Sequence, residues 1–217
     1  MFDNPIDIIL RFPVILIALT FHEYAHGWVA WKLGDNTARN EGRLTLNPIS
    51  HLDLFGTLML LAGPFGWAKP VPVNSYYFRN PKRDILLVSL AGPVSNIILA
   101  FIFGYTFRYI AMNNPGLIAQ GDYLNQFLQL AILINIGIAF FNMIPVPPLD
   151  GSKILIGLLP NKWIPGYIEK SRHLPIVFMV LLIAEWGLKI PLFSTIINPF
   201  YIPFNKLILF LIFGKGF

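Results

Sequence analysis

With 217 residues, 55% of them hydrophobic and only 12% charged, against about 25% charged in a soluble globular domain, the composition excludes an ordinary water-soluble protein. The net charge of +5 does not point to nucleic acid, because the basic residues are spread between apolar blocks and form no patch interleaved with aromatics. Cysteine is absent, which excludes disulfides, thiolate metal ligands and a cysteine nucleophile.

The chain opens on "MFDNPIDIIL", whose acidic residues stand where a signal peptide would carry basic ones, and the apolar run continues without a small-residue cleavage site as far as His22. A retained first span is therefore expected from about Ile6 to Leu33, with Arg11 reaching toward one interface and Trp28, Trp31 and Lys32 forming a belt at the other. After the polar stretch Gly34–Asp53, "LFGTLMLLAGPFGW" (Leu54–Trp67) is too short and too rich in Gly and Pro for an ordinary span and reads as a re-entrant or interfacial element. "KPVPV" can only be extended, since each Pro fixes its own φ and disfavours helix at the residue before it. A second span is expected over Ile85–Met112 and a third over about Leu124–Ile144. Beyond a basic loop, Leu174–Ile190 and Leu192–Phe213 read as a closing hairpin broken by Pro191, Pro199 and Pro203. The fold class is an all-α polytopic membrane protein of about five to six membrane segments, including the re-entrant or interfacial element, with short extended loops near the active site. Residues 1–217 read as a single domain, with a core of about 6–159 and a hydrophobic hairpin of about 174–213.

The basic residues set an orientation. Lys32, Arg39, Arg43, Lys69, Arg79, Lys82 and Arg83 lie between the first two spans, and Lys153, Lys162, Lys170 and Arg172 follow the third, whereas the stretch Asn113–Tyr123 has none. The N-terminus is expected outside and both basic loops in the cytoplasm of a prokaryotic cell, with the protein in the plasma membrane.

Within the first span, "HEYAH" places His22 and His26 one helical turn apart on the same face, able to bind one metal ion through ring nitrogens, with Glu23 beside them to take a proton from water. The turn lies about 12 Å inside the Trp31/Lys32 end, where ionisable side chains are costly unless partnered. A catalytic zinc site needs a third protein ligand, and the candidates are His51, His173 and the few carboxylates. Asp150 stands out, because "NMIPVPPLDGSKIL" brings it to the same end of the third span to which the first delivers His22 and His26. Three prolines in four positions prevent helix there, and non-helical backbone at membrane depth must line a cavity. Asp150 ahead of Gly151 also fits a helix N-cap.

"HEYAH" and "NMIPVPPLDG", with "GPVSN" (Gly92–Asn96) between them, resemble the three motifs of the site-2 protease family of intramembrane zinc metalloproteases. The resemblance runs from Phe2 to about Leu159 and includes "GWAKPVPVN", which looks like the version of the family without PDZ or CBS domains. It implies one Zn2+ per chain held by His22, His26 and Asp150, Glu23 as general base, and Asn142 near the site helping to hold substrate or the oxyanion. It also implies active-site support from Asn96 and Gly92, although ordinary small-residue helix packing explains that pair equally well. Val71, Val73 and Asn74, with Pro145 and Pro147, fall in segments that would pair with unwound substrate, and a rigid Pro-rich loop is the alternative for the first of them. His51 and Asp53 fit either a gate or extra ligand or a cap on the element that follows.

The function expected is zinc-dependent cleavage of transmembrane segments of single-pass membrane-protein substrates, with the active site toward the cytoplasmic side and the lipid bilayer as surroundings. The alternative is a zinc-binding membrane transporter or sensor using the same ligands. Oligomeric state, substrate identity and trigger are not legible in the sequence.

Overall fold

The structure is a computed structural model and describes residues 5–62, 66–119 and 121–214. The apolar run at the start forms α1 (Pro5–Lys32), which passes through Pro13 and stops where Gly34 takes a positive φ of 108°. A single turn, α2 (Thr37–Asn40), and a 3-10 turn at Pro48–His51 lead to α3 (Leu54–Ala62). With nine residues, α3 is too short to cross a bilayer. Asp53 starts it by accepting the Gly56 amide at 2.8 Å, the cap expected there, whereas His51 plays no part in that cap. The chain then comes back: Leu52 and Ala68 form an antiparallel bridge, and Trp67 O lies 2.1 Å from where a Cβ on Gly56 would sit. This in-and-out path fits the re-entrant or interfacial reading of Leu54–Trp67, of which residues 63–65 lie outside the described residues. Residues 69–74 follow in extended form, as the alternating prolines require.

The second long helix, α4 (Pro81–Asn113), begins four residues earlier than the hydropathy suggests. Asn80 accepts the Arg83 amide while the Asp84 carboxylate accepts the Asn80 amide, and Pro81 occupies the first helical position, where its missing N–H costs nothing. After a 3-10 turn at Pro115–Ile118 comes α5 (Tyr123–Met143), which ends as the proline segment begins. Asp150 then opens α6 (Asp150–Leu158), followed by α7 (Ile164–Ser171), α8 (Leu174–Gly187) and α9 (Leu192–Phe213). Among the described residues no strand forms, and α4, α5 and α9 are each long and apolar enough to cross a membrane, with α8 a shorter apolar helix.

Of the three prolines expected to break the closing hairpin, only Pro191 does so. Pro199 and Pro203 lie inside α9. Each removes one N–H from the ladder, and in an apolar setting no water competes for the remaining backbone groups, so the helix continues through them. Glu185, a carboxylate inside the apolar α8, accepts the Ser194 amide in the first turn of α9 at 3.2 Å. Its charge is thus placed against a helix N-terminus.

α4 is the central element, packing against α1, α5, α6 and α9. A buried cluster of Ala100, Ile132, Ile136, Ile208 and Ile212 joins α4, α5 and α9. Lipid tails are as apolar as these side chains, so the cluster is held by close packing more than by exclusion of water. Gly104 shows how close: an added Cβ would lie 2.4 Å from Ile212 Cγ2. Gly104→Ala is expected to lower the thermal unfolding midpoint in detergent, at a cost of about 1–3 kcal/mol for overpacking. Adding Ile212→Ala should recover part of that loss, whereas simple additivity of the two substitutions would show that they do not meet.

Candidate active site

α1 delivers His22 and His26 on one face, with ring centroids 4.6 Å apart. The ring hydrogens can be assigned from their partners. His26 Nδ1 lies 2.7 Å from Val88 O, a carbonyl that only accepts, so Nδ1 carries the hydrogen and Nε2 a lone pair. His22 Nδ1 lies 2.7 Å from Asn96 Oδ1. The Asn96 amide donates to Ala18 O at 3.0 Å and to Asn135 Oδ1 at 2.9 Å, which identifies its Oδ1 as the acceptor for His22. Asn135 in turn donates to Ala131 O at 2.8 Å. In their neutral form both histidines are therefore held with Nε2 as the acceptor that faces Asp150.

Those two nitrogens each lie 3.1 Å from Asp150 Oδ2. All three side chains are buried, and their ligand atoms fall within 4.8 Å of one another. Three acceptors aimed at one point in a low-dielectric interior repel unless a cation lies among them. The 3.1 Å separations are close to the edge of about 3.3 Å for a tetrahedron with zinc–nitrogen bonds of 2.0–2.1 Å. The donor set fits a zinc ion.

Backbone proximity makes this convergence possible. A Cβ on Gly92 would lie 2.5 Å from His26 Nε2 and 2.6 Å from His22 Nε2, so α4 can pass the metal-facing edge of the two rings only as glycine. The packing alternative for Gly92 and the site-support reading thus meet in one contact. Gly151 plays the same part for Asp150, since its Cβ would fall 2.3 Å from Ile144 O and 2.4 Å from Met143 O at the end of α5. Asp150 is the first helical residue of α6 and does not cap it: the N-cap is Leu149, without a side-chain bond, and the carboxylate is turned to the histidines.

Glu23, one residue on from His22, faces elsewhere. Its Oε2 accepts the Val71 amide at 2.8 Å, and it borders an open cavity of about 1060 Å³ that also reaches His22, His26 and Asp150. The cavity is lined by α1 and α5, with Val88 and Ser89 of α4, residues of the segment after α3, and Lys153 of α6 also on its wall. Asn142 borders it, with its amide donating to Ile138 O at 3.1 Å and one amide hydrogen to spare.

Of the other residues singled out in the sequence, Val71 and Val73 border the cavity, while Asn74 holds its place through an amide bond of 2.6 Å to Asp35 Oδ2. In the proline segment Pro148 and Leu149 border the cavity, not Pro145 or Pro147; Pro145 O accepts the Tyr167 hydroxyl at 3.0 Å. His51 is not brought to the metal-ligand group. It is buried, with Nε2 2.8 Å from Thr45 O, because the bridge between Leu52 and Ala68 fixes its turn away from the trio. Sequence reasoning missed Asn135, Asp35 and Arg43. An asparagine in the middle of "LINIGI" was a usable signal for the first.

The polar groups behind the histidines yield a prediction. Asn96→Ala should weaken zinc binding about 10- to 100-fold, as loss of an outer-shell partner does, with a smaller loss for Asn135→Ala. Gly92→Ala should remove binding altogether in a chelator-competition titration. Wild-type affinity in Gly92→Ala would show that the rings are not held where the structure puts them.

The profile of peptidase family M50 matches residues 108–184, which include α5, the proline segment and Asp150. "Putative zinc metalloprotease YwhC" of Bacillus subtilis is 46% identical over 180 residues, 80% of each chain. "Putative zinc metalloprotease MJ0611" of Methanocaldococcus jannaschii is 30% identical over 190 residues, 86% of this chain and 88% of that one. "Putative zinc metalloprotease Rip2" of Mycobacterium tuberculosis is 34% identical over 146 residues, 64% of this chain and 53% of the relative. No solved structure matches. A metal-ready trio within a bundle of membrane-length helices, and relatives that share most of the chain, lead to one family: the protein belongs to peptidase family M50, the site-2 proteases, and is a zinc metalloprotease embedded in the membrane.

Proposed function

We propose that the protein is an intramembrane endopeptidase that cuts transmembrane segments of single-pass membrane proteins, as in regulated intramembrane proteolysis. His22, His26 and Asp150 hold one zinc ion, and Glu23 is the general base. The observation that carries this reading is the meeting of two histidine lone pairs and one carboxylate oxygen beside Glu23, in a cavity that lies between the apolar helices α1 and α5. The zinc ion, when bound, supplies Lewis acidity toward water and the scissile carbonyl.

The remaining work falls to the chain. Glu23 borders the cavity next to the ligands, where it takes a proton from the attacking water and passes it to the leaving amine. The spare amide hydrogen of Asn142 can bond the oxygen on which charge develops. A helical substrate hides its peptide bonds and must unwind, which leaves backbone groups unpaired where lipid offers no partner. In residues 69–74 the Lys69, Val71 and Asn74 amides are already engaged and Pro70 and Pro72 have none, so pairing with substrate falls to the Val73 amide and the carbonyls of residues 71–73.

The loop charges support an N-terminus outside and an active site toward the cytoplasmic side of a prokaryotic plasma membrane. The core of about 6–159 carries the site, and the hairpin of about 174–213 packs on it through α9.

The test is zinc content and cleavage of a transmembrane-segment substrate by the purified chain in detergent. Glu23→Ala should keep about one zinc per chain and lose at least about 100-fold in turnover, the scale of general-base catalysis. Asp150→Ala should lose both metal and activity, and a chelator should silence the wild type until zinc is returned. Turnover by Glu23→Ala would sink the mechanism.

A further inference from the structure

Residues 69–74 pass over α1 at the turn that carries Glu23, and the segment is fixed with unusual completeness. At one end, Arg43 Nη2 donates to Lys69 O at 2.9 Å and to Pro70 O at 3.3 Å, while the Lys69 amide donates to His51 O at 2.9 Å. At the other, the Asn74 amide donates to Asp35 Oδ2 at 2.6 Å. Asp35 is fully buried, and its second oxygen is held by the Thr37 amide at 2.9 Å and by the Thr37 hydroxyl. Between these anchors the sequence is Pro70-Val71-Pro72, two rings that keep the backbone extended and carry no N–H. Val71 therefore presents the one amide hydrogen of the tripeptide, and it points at Glu23 Oε2 from 2.8 Å. The Val71 side chain is buried against α1, where a Cβ on Gly27 would approach its Cγ1 to 3.1 Å.

We propose that this strap is the positioning device for Glu23: the Val71 amide, framed by two prolines and anchored by Arg43 and Asp35, holds the carboxylate in the orientation from which it takes the water's proton. The inference rests on the reading of Glu23 as the general base. A glutamate has three side-chain torsions, and His22 and His26 are oriented by Asn96 and Val88 O of α4 without reference to it. Among the described contacts of Glu23, the Val71 amide is the one hydrogen bond that orients the carboxylate. The role assigned to "KPVPV" thereby changes: its central donor serves the enzyme's own base and is not free for substrate.

Val71→Pro is the deciding variant, because it removes the amide hydrogen from a backbone that flanking prolines already keep extended. Val71→Ala is its control, keeping the amide and losing only the side chain. On the full chain in detergent, kcat for Val71→Pro should fall about 10- to 100-fold below that of Val71→Ala, the cost of misplacing a catalytic group by about an ångström. Zinc content should stay at about one per chain in both, with KM changed far less than kcat between them. Arg43→Ala should fall in between, and Arg43→Lys, whose ammonium can still reach the two carbonyls, should recover most of the loss.

Hydrogen exchange gives a readout independent of turnover. A peptide over residues 69–73 reports only Val71 and Val73, because its first residue becomes an amine and the two prolines carry no amide, and its protected Val71 amide should exchange faster in Glu23→Ala and Arg43→Ala. The proposal is overturned if Val71→Pro matches Val71→Ala within about threefold, if it exceeds the wild type, or if Val71 exchange is indifferent to Glu23. Glu23→Ala separates the two levels. If it is inactive while Val71→Pro and Val71→Ala agree, the strap proposal alone fails; if it is active, the reading of the base fails first.

Discussion

Two imidazole nitrogens that each lie 3.1 Å from one buried carboxylate oxygen set the terms for everything around them. In their neutral form two imidazole lone pairs and a carboxylate oxygen do not converge by attraction, and burial of all three side chains leaves little screening to soften their repulsion. Convergence has to be imposed by groups that bind the other side of each ring. Asn96 and Val88 O do this from α4, and each acts by accepting a hydrogen, which leaves the metal-facing nitrogen bare. The same bonds that lock the ring orientations also select the tautomer that a metal requires.

Those locks depend on how near the helices come. Asn96 spans three helices, reaching Ala18 O on α1 and Asn135 on α5 from its place on α4. Such a chain of amides is expensive in an apolar bundle unless every hydrogen finds an acceptor, and here Asn135 closes it on Ala131 O within its own helix. Glycine at 92 and at 151 removes the atoms that would keep α4 off the histidines and α6 off the end of α5. Lys82 then ties the start of α4 to the end of α6 through Leu159 O and the Asn161 side chain at 2.8 Å.

What could be read from the sequence follows from where the information is written. Polar letters in an apolar block are conspicuous. Asp150 was marked by the proline segment before it and Asn96 only by the family resemblance, but His22, Glu23 and His26 were visible on that ground. Asn135 is written in the same way, but a neutral amide draws less notice than a charge. The bounds of α9 and the extended form of "KPVPV" were legible because hydropathy and proline geometry are local. Arg43 and Asp35 were not, because their partners are backbone groups 26 to 39 residues away, and a main-chain carbonyl has no letter. Pro199 and Pro203 misled for the opposite reason. The rule that proline ends a helix is a rule about competition with water, and inside an apolar helix that competitor is missing.

The order of letters in "HEYAH" carries a further consequence. Successive helical residues are rotated by about 100°, so a base placed directly after the first ligand cannot share that ligand's supports. The ligand face of α1 is turned to α4 and α6, while Glu23 is turned toward the returning segment after α3. Two scaffolds thus meet at the site, the helices α1, α4 and α6 that bring together His22, His26 and Asp150, and the extended backbone of residues 69–74 that meets Glu23. The second follows the re-entrant or interfacial element and borders the same cavity through Pro70, Val71 and Val73. On the proposed mechanism, metal binding is a property of the helices, whereas the readiness of Glu23 as base belongs to the segment that borders the cavity, and a substrate that shifts residues 69–74 would act on the proton transfer and not on the ligands.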